Sequence, residues 1–65
     1  GEVYRIDLLV DGKVIIEIKS VRELSPVHFK QLLTYLKLQK LRYGYLINFD
    51  VNMLKDGINR VVNGY

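Results

Sequence analysis

The chain has 65 residues, 49% of them hydrophobic, with no cysteine and one histidine. A chain this short buries only about 60% of the surface that its unfolded form exposes. Without cysteine it has neither a disulfide nor a cysteine-ligated zinc site to stabilise it. The composition therefore excludes a disordered chain and a disulfide scaffold. It predicts a single domain, residues 1–65, whose remaining source of stability is a partner chain.

The charge and hydropathy also limit the partners and the cellular location expected for the protein. The formal net charge of +3 permits an anionic partner without requiring one. No stretch approaches the roughly 20 apolar residues of a membrane span. The start of the chain lacks the basic-then-apolar order of a signal peptide. We therefore expect an intracellular, cytoplasmic protein with no membrane partner.

Two segments with alternating apolar residues, 3–10 and 14–20, flank the turn signal Asp11-Gly12 and predict a β-hairpin. A two-residue turn would send the two apolar stripes to opposite faces of the sheet. A three-residue loop keeps them together as the expected core face, and it has two forms. The loop is either residues 11–13, with Val10 opposite Val14, or residues 10–12. Both forms place Asp7, Glu17 and Lys19 on one shared face.

A helix is predicted after the hairpin. Ser25 is a good N-cap, and Pro26 fits the first helical position because its missing N–H would be unpaired there. The helix should end near Lys40 to Arg42. Apolar residues at helical spacing predict its buried stripe: Phe29, Leu32, Leu33 and Leu36.

The remaining segments complete an α/β pattern. Residues 43–48, YGYLIN, are almost entirely apolar and predict a central strand, which a crossover helix joins to the hairpin. Such a crossover is nearly always right-handed. Asp56-Gly57 marks a turn, and residues 58–62, INRVV, fit a short edge strand. The predicted fold is α/β: a β-hairpin, a crossover helix and further strands in a small mixed sheet.

The three charges of the hairpin have two interpretations. With Val10 opposite Val14, Asp7 lies across from Glu17, and like charges so placed are destabilising. Mg²⁺ or Mn²⁺ would relieve this repulsion, and Lys19 on the same face can orient an attacking water or stabilise charge on a pentavalent phosphate. In the other register, Arg5 opposes Glu17 as an ordinary ion pair on a solvated face.

The predicted helix carries a polar pair, Gln31 and Tyr35, at i, i+4 spacing near the edge of the apolar stripe. An amide and a phenol there can hydrogen-bond a phosphate or a base. Alternatively, Tyr35 half-buries its ring and Gln31 is merely solvated. His28, in the first turn, is best explained as covering the start of the helix.

These residues in this order resemble a known family. Their order is similar to that of the PD-(D/E)XK nuclease superfamily: Asp7, a turn, Glu17-Ile18-Lys19, a helix carrying Gln31-x-x-x-Tyr35, and an apolar strand. The likeness is closest to the GxxExxY proteins and covers essentially the whole chain. It lies in these stretches: GEVYRIDLLV, VIIEIKSVREL, SPVHFKQLLTYLKL, GYLINF and LKDGINRVVNGY.

The resemblance implies a restriction-endonuclease-like core that hydrolyses nucleic-acid phosphodiester bonds. DNA is the expected substrate, and Mg²⁺ or Mn²⁺ is the expected cofactor. It implies that Asp7 and Glu17 bind the metal with the carbonyl of Ile18, and that Lys19 is the catalytic lysine. Gln31 and Tyr35 match a motif that faces the DNA in exonuclease-like branches.

This chain departs from the family at two points. Ile6 stands where proline is usual, and the N-terminal helix, with its glutamate, and the first strand of the fold are missing. An apolar edge over residues 4–10 would then be exposed, which predicts a homo-oligomer. The alternative function is a truncated, non-catalytic remnant that binds nucleic acid or assembles with itself. A purely structural oligomerisation module is a third possibility.

Overall fold

The computed structural model describes residues 7–64. They form one helix and a four-stranded sheet in the order β1-β2-β3-β4. Strands β2 and β3 are parallel, and the two outer pairs are antiparallel. This is the predicted small mixed α/β fold, with residues 43–48 central and residues 58–62 at an edge. The elements are β1 Leu8–Val10, β2 Val14–Lys19, α1 Pro26–Gln39, β3 Tyr43–Asn48, a 3-10 turn Leu54–Gly57 and β4 Ile58–Val62.

The hairpin adopts the first of the two predicted registers, in which Val10 pairs with Val14. Asp11 and Gly12 have φ angles of 56° and 64°, the left-handed values of a type I′ turn. The Lys13 N–H donates to the Val10 carbonyl over 2.9 Å. Lys13 is therefore an additional residue between a tight turn and the paired strands. The predicted residues 3–6 of the first strand lie outside the described part of the chain.

Helix α1 begins and ends where the sequence predicts. Ser25, in an extended conformation, is the N-cap and Pro26 is the first helical residue. Lys40 ends the helix in a left-handed conformation with a φ of 56°. The Leu41 N–H then donates to the Leu36 carbonyl over 2.8 Å, which satisfies one of the last free acceptors. Within residues 7–64, no helix has the length and apolarity needed to cross a membrane.

The core lies between α1 and one face of β2 and β3. Its fully buried side chains are Leu32 and Leu36 from the helix and Ile15 and Leu46 from the sheet. Each contributes about 1.5–3 kcal/mol by leaving water. Gly44 of β3 lies under the helix, where a Cβ atom would be 3.0 Å from Leu32 Cδ1. The missing side chain at Gly44 thus allows the helix to approach the sheet closely.

The prediction of which sheet face forms the core is wrong. The stripe Val14, Ile16 and Ile18 was expected to face the core, but the helix covers the opposite face, with Ile15 and Glu17. On β2 itself the helix-covered face carries one apolar residue, Ile15, beside the charged Glu17 and Lys19, so alternation along this strand favours the other face. The connection from β2 to β3, and not the alternation of residues, decides which face the helix covers.

The face of the sheet away from α1, called the open face below, carries apolar side chains on all four strands, with the charged Arg60 among them on β4. Six of its side chains keep 40–49% of their surface exposed. Isolated exposed apolar residues are normal, but a contiguous group marks an interaction surface. These side chains are Leu8, Val10, Ile18, Tyr43, Ile58 and Val62.

Gly57 should not tolerate a side chain. A Cβ atom there would lie inside van der Waals contact with the Asn48 carbonyl oxygen and 3.2 Å from Val51 Cγ2. Gly57→Ala should therefore lower the free energy of unfolding by about 3 kcal/mol, since backbone must move to relieve the overlap. Urea denaturation measures this loss. Gly64→Ala is the control, because its Cβ would meet no atom within 4 Å, and an equal loss in both variants would contradict the steric explanation.

Candidate functional site

Two carboxylates meet on the helix-covered face of the hairpin. Asp7 immediately precedes β1, and continuing the register from Leu8 opposite Ile16 brings Asp7 opposite Glu17. Asp7 Oδ2 accepts a hydrogen bond of 2.8 Å from the Ile18 N–H. The exposed Asp7 side chain is thereby held against β2, next to Glu17.

Glu17 is a charged group in a costly position. Its side chain is only 6% exposed, and its Oε1 atom is buried with no hydrogen-bond partner. Burial raises the pKa of the Glu17 carboxyl, and the negative charge of Asp7 raises it further. The positive charge of Lys19 opposes both effects. A buried carboxylate oxygen without a partner costs about 1–3 kcal/mol, and a bound cation would remove this cost.

Lys19 lies on the same face of β2 as Glu17, two residues along the strand, and is half-buried. Its backbone is held at the point where β2 ends, because the Phe49 N–H donates to the Lys19 carbonyl over 2.9 Å. Asp7, Glu17 and Lys19 therefore share one face, as the sequence predicts. That face lies on the helix side of the sheet.

The possible ligands for a metal are few. Within residues 7–64, no group of three or more histidine, cysteine, aspartate or glutamate side chains gathers in one place. Asp7 and Glu17 supply oxygen atoms, which are the ligands that Mg²⁺ and Mn²⁺ prefer. The Ile18 side chain points to the open face, and its N–H is already bonded to Asp7. The Ile18 carbonyl as a third ligand stays a prediction.

Comparison with known families shows the family to which the chain belongs. A family model described as the PD-(D/E)XK nuclease superfamily matches residues 1–61. The chain belongs to the PD-(D/E)XK nuclease superfamily. Membership indicates a nuclease-type function, and the closer likeness to GxxExxY proteins stays a prediction. Neither the curated proteins nor the solved structures compared with the chain gave a significant match.

The two candidate substrate-binding residues of the helix have different surroundings from each other. Gln31 is exposed on α1. Tyr35 is 8% exposed and packs in the core with Leu32 and Leu36, instead of lying at the predicted groove. The ring of Tyr35 is thus a packing residue, while a role for Gln31 and Tyr35 in binding nucleic acid stays a prediction.

His28 has a structural partner at the start of α1. The Ser25 N–H donates to His28 Nδ1 over 2.9 Å, which is the return half of a capping box. His28→Ala should therefore lower the free energy of unfolding by about 1 kcal/mol, and His28→Gln should lose less because glutamine supplies the same acceptor. Thermal denaturation of both variants tests this. An equal loss in the two would contradict the capping role.

Sequence reasoning missed Asn48, which lies at the end of β3 opposite Lys19. Its side chain is 4% exposed and bonds both backbone polar groups of Val21. The sequence signal that could have indicated it is a single polar residue at the end of an otherwise apolar strand. Strand β3 pairs with β2, which carries Glu17 and Lys19, so Asn48 lies next to the candidate site.

Proposed function

We propose that this chain is the core of a divalent-metal-dependent nuclease. It hydrolyses phosphodiester bonds of nucleic acid, with DNA as the expected substrate, and residues 1–65 form a single core domain. The observation that carries the proposal is the buried Glu17 oxygen without a partner. It lies beside Asp7 and on the same face as Lys19. A fold tolerates such a costly arrangement most readily at a functional site.

The side chains present fit a hard cation. Asp7 and Glu17 would hold Mg²⁺ or Mn²⁺, with the Ile18 carbonyl as a third oxygen, and substrate and water would complete the coordination. The bound cation supplies positive charge and Lewis acidity at the phosphate. Superfamily membership supports this assignment, because its nucleases generally use divalent metals.

Lys19 has the charge that phosphodiester hydrolysis needs. In this reaction the oxygen of water bonds to phosphorus, one phosphorus–oxygen ester bond breaks, and a proton passes to the departing oxygen. Negative charge grows on the phosphate oxygens on the way. We assign Lys19 to stabilising this charge, because its ammonium group lies near enough to Glu17 to lower the pKa of that carboxyl.

The nucleic acid would approach along the exposed side of α1. Gln31 is exposed there, as are Lys30 and Lys37 on the same helix. The net charge of +3 favours a polyanion. We assign Gln31 to direct contact with the phosphate or base, and Tyr35, buried one turn along the same helix, to supporting this substrate-binding side of α1.

The test combines cleavage with metal binding. The purified chain is incubated with single-stranded DNA, double-stranded DNA and RNA, with Mn²⁺, Mg²⁺ or EDTA, and Mn²⁺ binding is measured by calorimetry. We expect metal-dependent cleavage that Asp7→Asn abolishes. Asp11→Asn is the matched control, because it removes a carboxylate from the same hairpin and retains a residue suited to its left-handed φ. Mn²⁺ binding without cleavage, or neither, would overturn the nuclease proposal.

A second candidate is self-association through the open face, and the exposed apolar side chains that this face carries on all four strands favour it. We propose a second copy of this chain as the occupant. The four strands are three to six residues long and about 4.8 Å apart, so the open face spans roughly 300 Å² in projection, the size of a small, weak interface.

Sedimentation velocity tests the second copy. Val62→Lys should shift an oligomer to monomer, because a buried lysine ammonium on the open face would lose its water. Leu38→Lys, at an exposed apolar position on the helix, should leave the assembly unchanged. A wild-type chain that stays monomeric at the highest concentration would rule out the homo-oligomer and the structural oligomerisation module.

A further inference from the structure

We propose that Asn48 is a positioning residue for Lys19, in a proposal that rests on the nuclease function above. Asn48 does not belong to the motif residues, and no charge or metal ligand marks it. Its importance follows from the position of its side-chain amide, which lies at the C-terminal end of β2, the strand that carries Glu17 and Lys19.

The Asn48 side chain replaces a missing strand neighbour. The pairing of β2 with β3 ends at Lys19 and Asn48. Beyond that point, Asn48 Nδ2 donates to the Val21 carbonyl over 2.8 Å, and the Val21 N–H donates to Asn48 Oδ1 over 3.0 Å. One amide group thus satisfies both backbone groups of Val21, in the way that the next residue of a strand would.

The backbone around Asn48 is fixed from two further directions. The Asp50 N–H donates to the same Oδ1 atom over 3.3 Å. Gly57 lies directly against the Asn48 carbonyl oxygen, where no side chain fits. The Phe49 N–H holds the Lys19 carbonyl over 2.9 Å. The segment 19–21 is therefore tied to a rigid point on β3 at both ends, with Lys19 at one end and Val21 at the other.

This geometry has a consequence for the direction of the Lys19 side chain. A residue at the last position of a strand normally frays, because only one side of its backbone is bonded. Asn48 prevents fraying at the position where the lysine must meet the phosphate. A displacement of about 1 Å in a catalytic group can lower a rate by about a hundredfold. The amide is needed as both donor and acceptor, so no hydrophobic residue of the same size replaces it.

The experiment compares Asn48→Ala with Asn63→Ala. Asn63 is a matched control, since it is 6% exposed and its Nδ2 also donates to a backbone carbonyl, that of Leu41, over 3.1 Å. Both variants should lose similar stability. Only Asn48→Ala should lower kcat, by about tenfold, with KM changed less than twofold. Asn48→Ser is measured in its place if the alanine variant does not fold.

A double variant separates positioning from general weakening. In the Lys19→Met background, Asn48→Ala should cause no further loss of kcat, because it acts through the lysine. Independent losses that multiply would overturn the proposal. So would equal loss of kcat in Asn48→Ala and Asn63→Ala, and in both cases the nuclease function itself would stand.

A measurement that does not depend on cleavage tests the positioning role even if the proposed nuclease function fails. If the wild-type chain cleaves nothing, that function fails, and NMR relaxation of the Lys19 and Val21 amides decides the positioning. Greater mobility of both amides in Asn48→Ala but not in Asn63→Ala supports it. Unchanged mobility of Lys19 in Asn48→Ala overturns it.

Discussion

Glu17→Gln should abolish metal-dependent cleavage by the chain and at the same time make the fold more stable. The amide keeps the shape of the side chain but is a poor ligand for Mg²⁺. Losing about 4 kcal/mol of charge stabilisation corresponds to about a thousandfold lower rate. Initial rates of DNA cleavage with Mn²⁺ measure the loss. Cleavage within tenfold of wild type would remove Glu17 from the metal site.

The gain in stability follows from the raised pKa of Glu17. At this carboxyl the folded chain binds a proton more tightly than the unfolded chain. The stability that the group contributes therefore falls as the pH rises from about 4.3, the ordinary glutamate value, through the raised value, and stays low above it. Glu17→Gln removes this fall, and should raise the free energy of unfolding at pH 8 by about 1 kcal/mol.

Thermal denaturation across pH, without metal, checks this expectation. One kcal/mol corresponds to about 5 °C in a domain of this size. Asp11→Asn again serves as control, since Asp11 lies exposed in the turn and should show no such gain. A lower melting temperature for Glu17→Gln at pH 8 would show that the Glu17 carboxylate makes stabilising hydrogen bonds, which would contradict this expectation. Added Mg²⁺ should stabilise wild type and not Glu17→Gln.

Lys19→Met should lower the rate of cleavage by about a hundredfold to a thousandfold while leaving Mn²⁺ affinity nearly unchanged. The methionine fills a similar volume, so the loss reports the ammonium group that stabilises charge on the phosphate. Single-turnover cleavage and calorimetric titration with Mn²⁺ measure the two quantities separately.

Lys13→Met is the matched control for this charge change, because Lys13 is an exposed lysine on the same hairpin. A similar fall in rate for Lys13→Met would mean that the net positive charge of the chain, and not the position of Lys19, governs cleavage. A large loss of Mn²⁺ affinity in Lys19→Met would instead indicate that the lysine shapes the carboxylate pair.

The sequence predicts the local elements well because each has its own chemical signal. Alternation of apolar residues excludes a simple two-residue turn, and the structure pairs Val10 with Val14 accordingly. Ser25 and Pro26 mark the start of the helix, and the helix begins there. The shared face of Asp7, Glu17 and Lys19 follows from strand periodicity alone.

What the sequence does not predict depends on how the elements lie against one another. Leu32 and Leu36 are buried as expected, but the helix is turned so that Tyr35 completes the core, with Leu33 only half-buried. A stripe of four apolar residues permits both rotations. The choice of Glu17's face as the helix side is likewise a property of the crossover.

The tie between Val21 and Asn48 lay beyond prediction for a similar reason. It joins residues 27 positions apart, and no local pattern links them. Only the parallel pairing of β2 with β3 brings the amide to the end of the neighbouring strand.

The separation between these contacts also sets an order of events in folding. A hairpin with a tight turn closes within about 1–10 μs, because its contacts are local. The parallel pairing of β2 with β3 must wait until the intervening helix has closed a long loop, which is slower. Asp7 and Glu17 belong to the first step, and the tie from Asn48 belongs to the second. We therefore expect the two carboxylates to meet early along the folding path, and the lysine beside them to be fixed in place last.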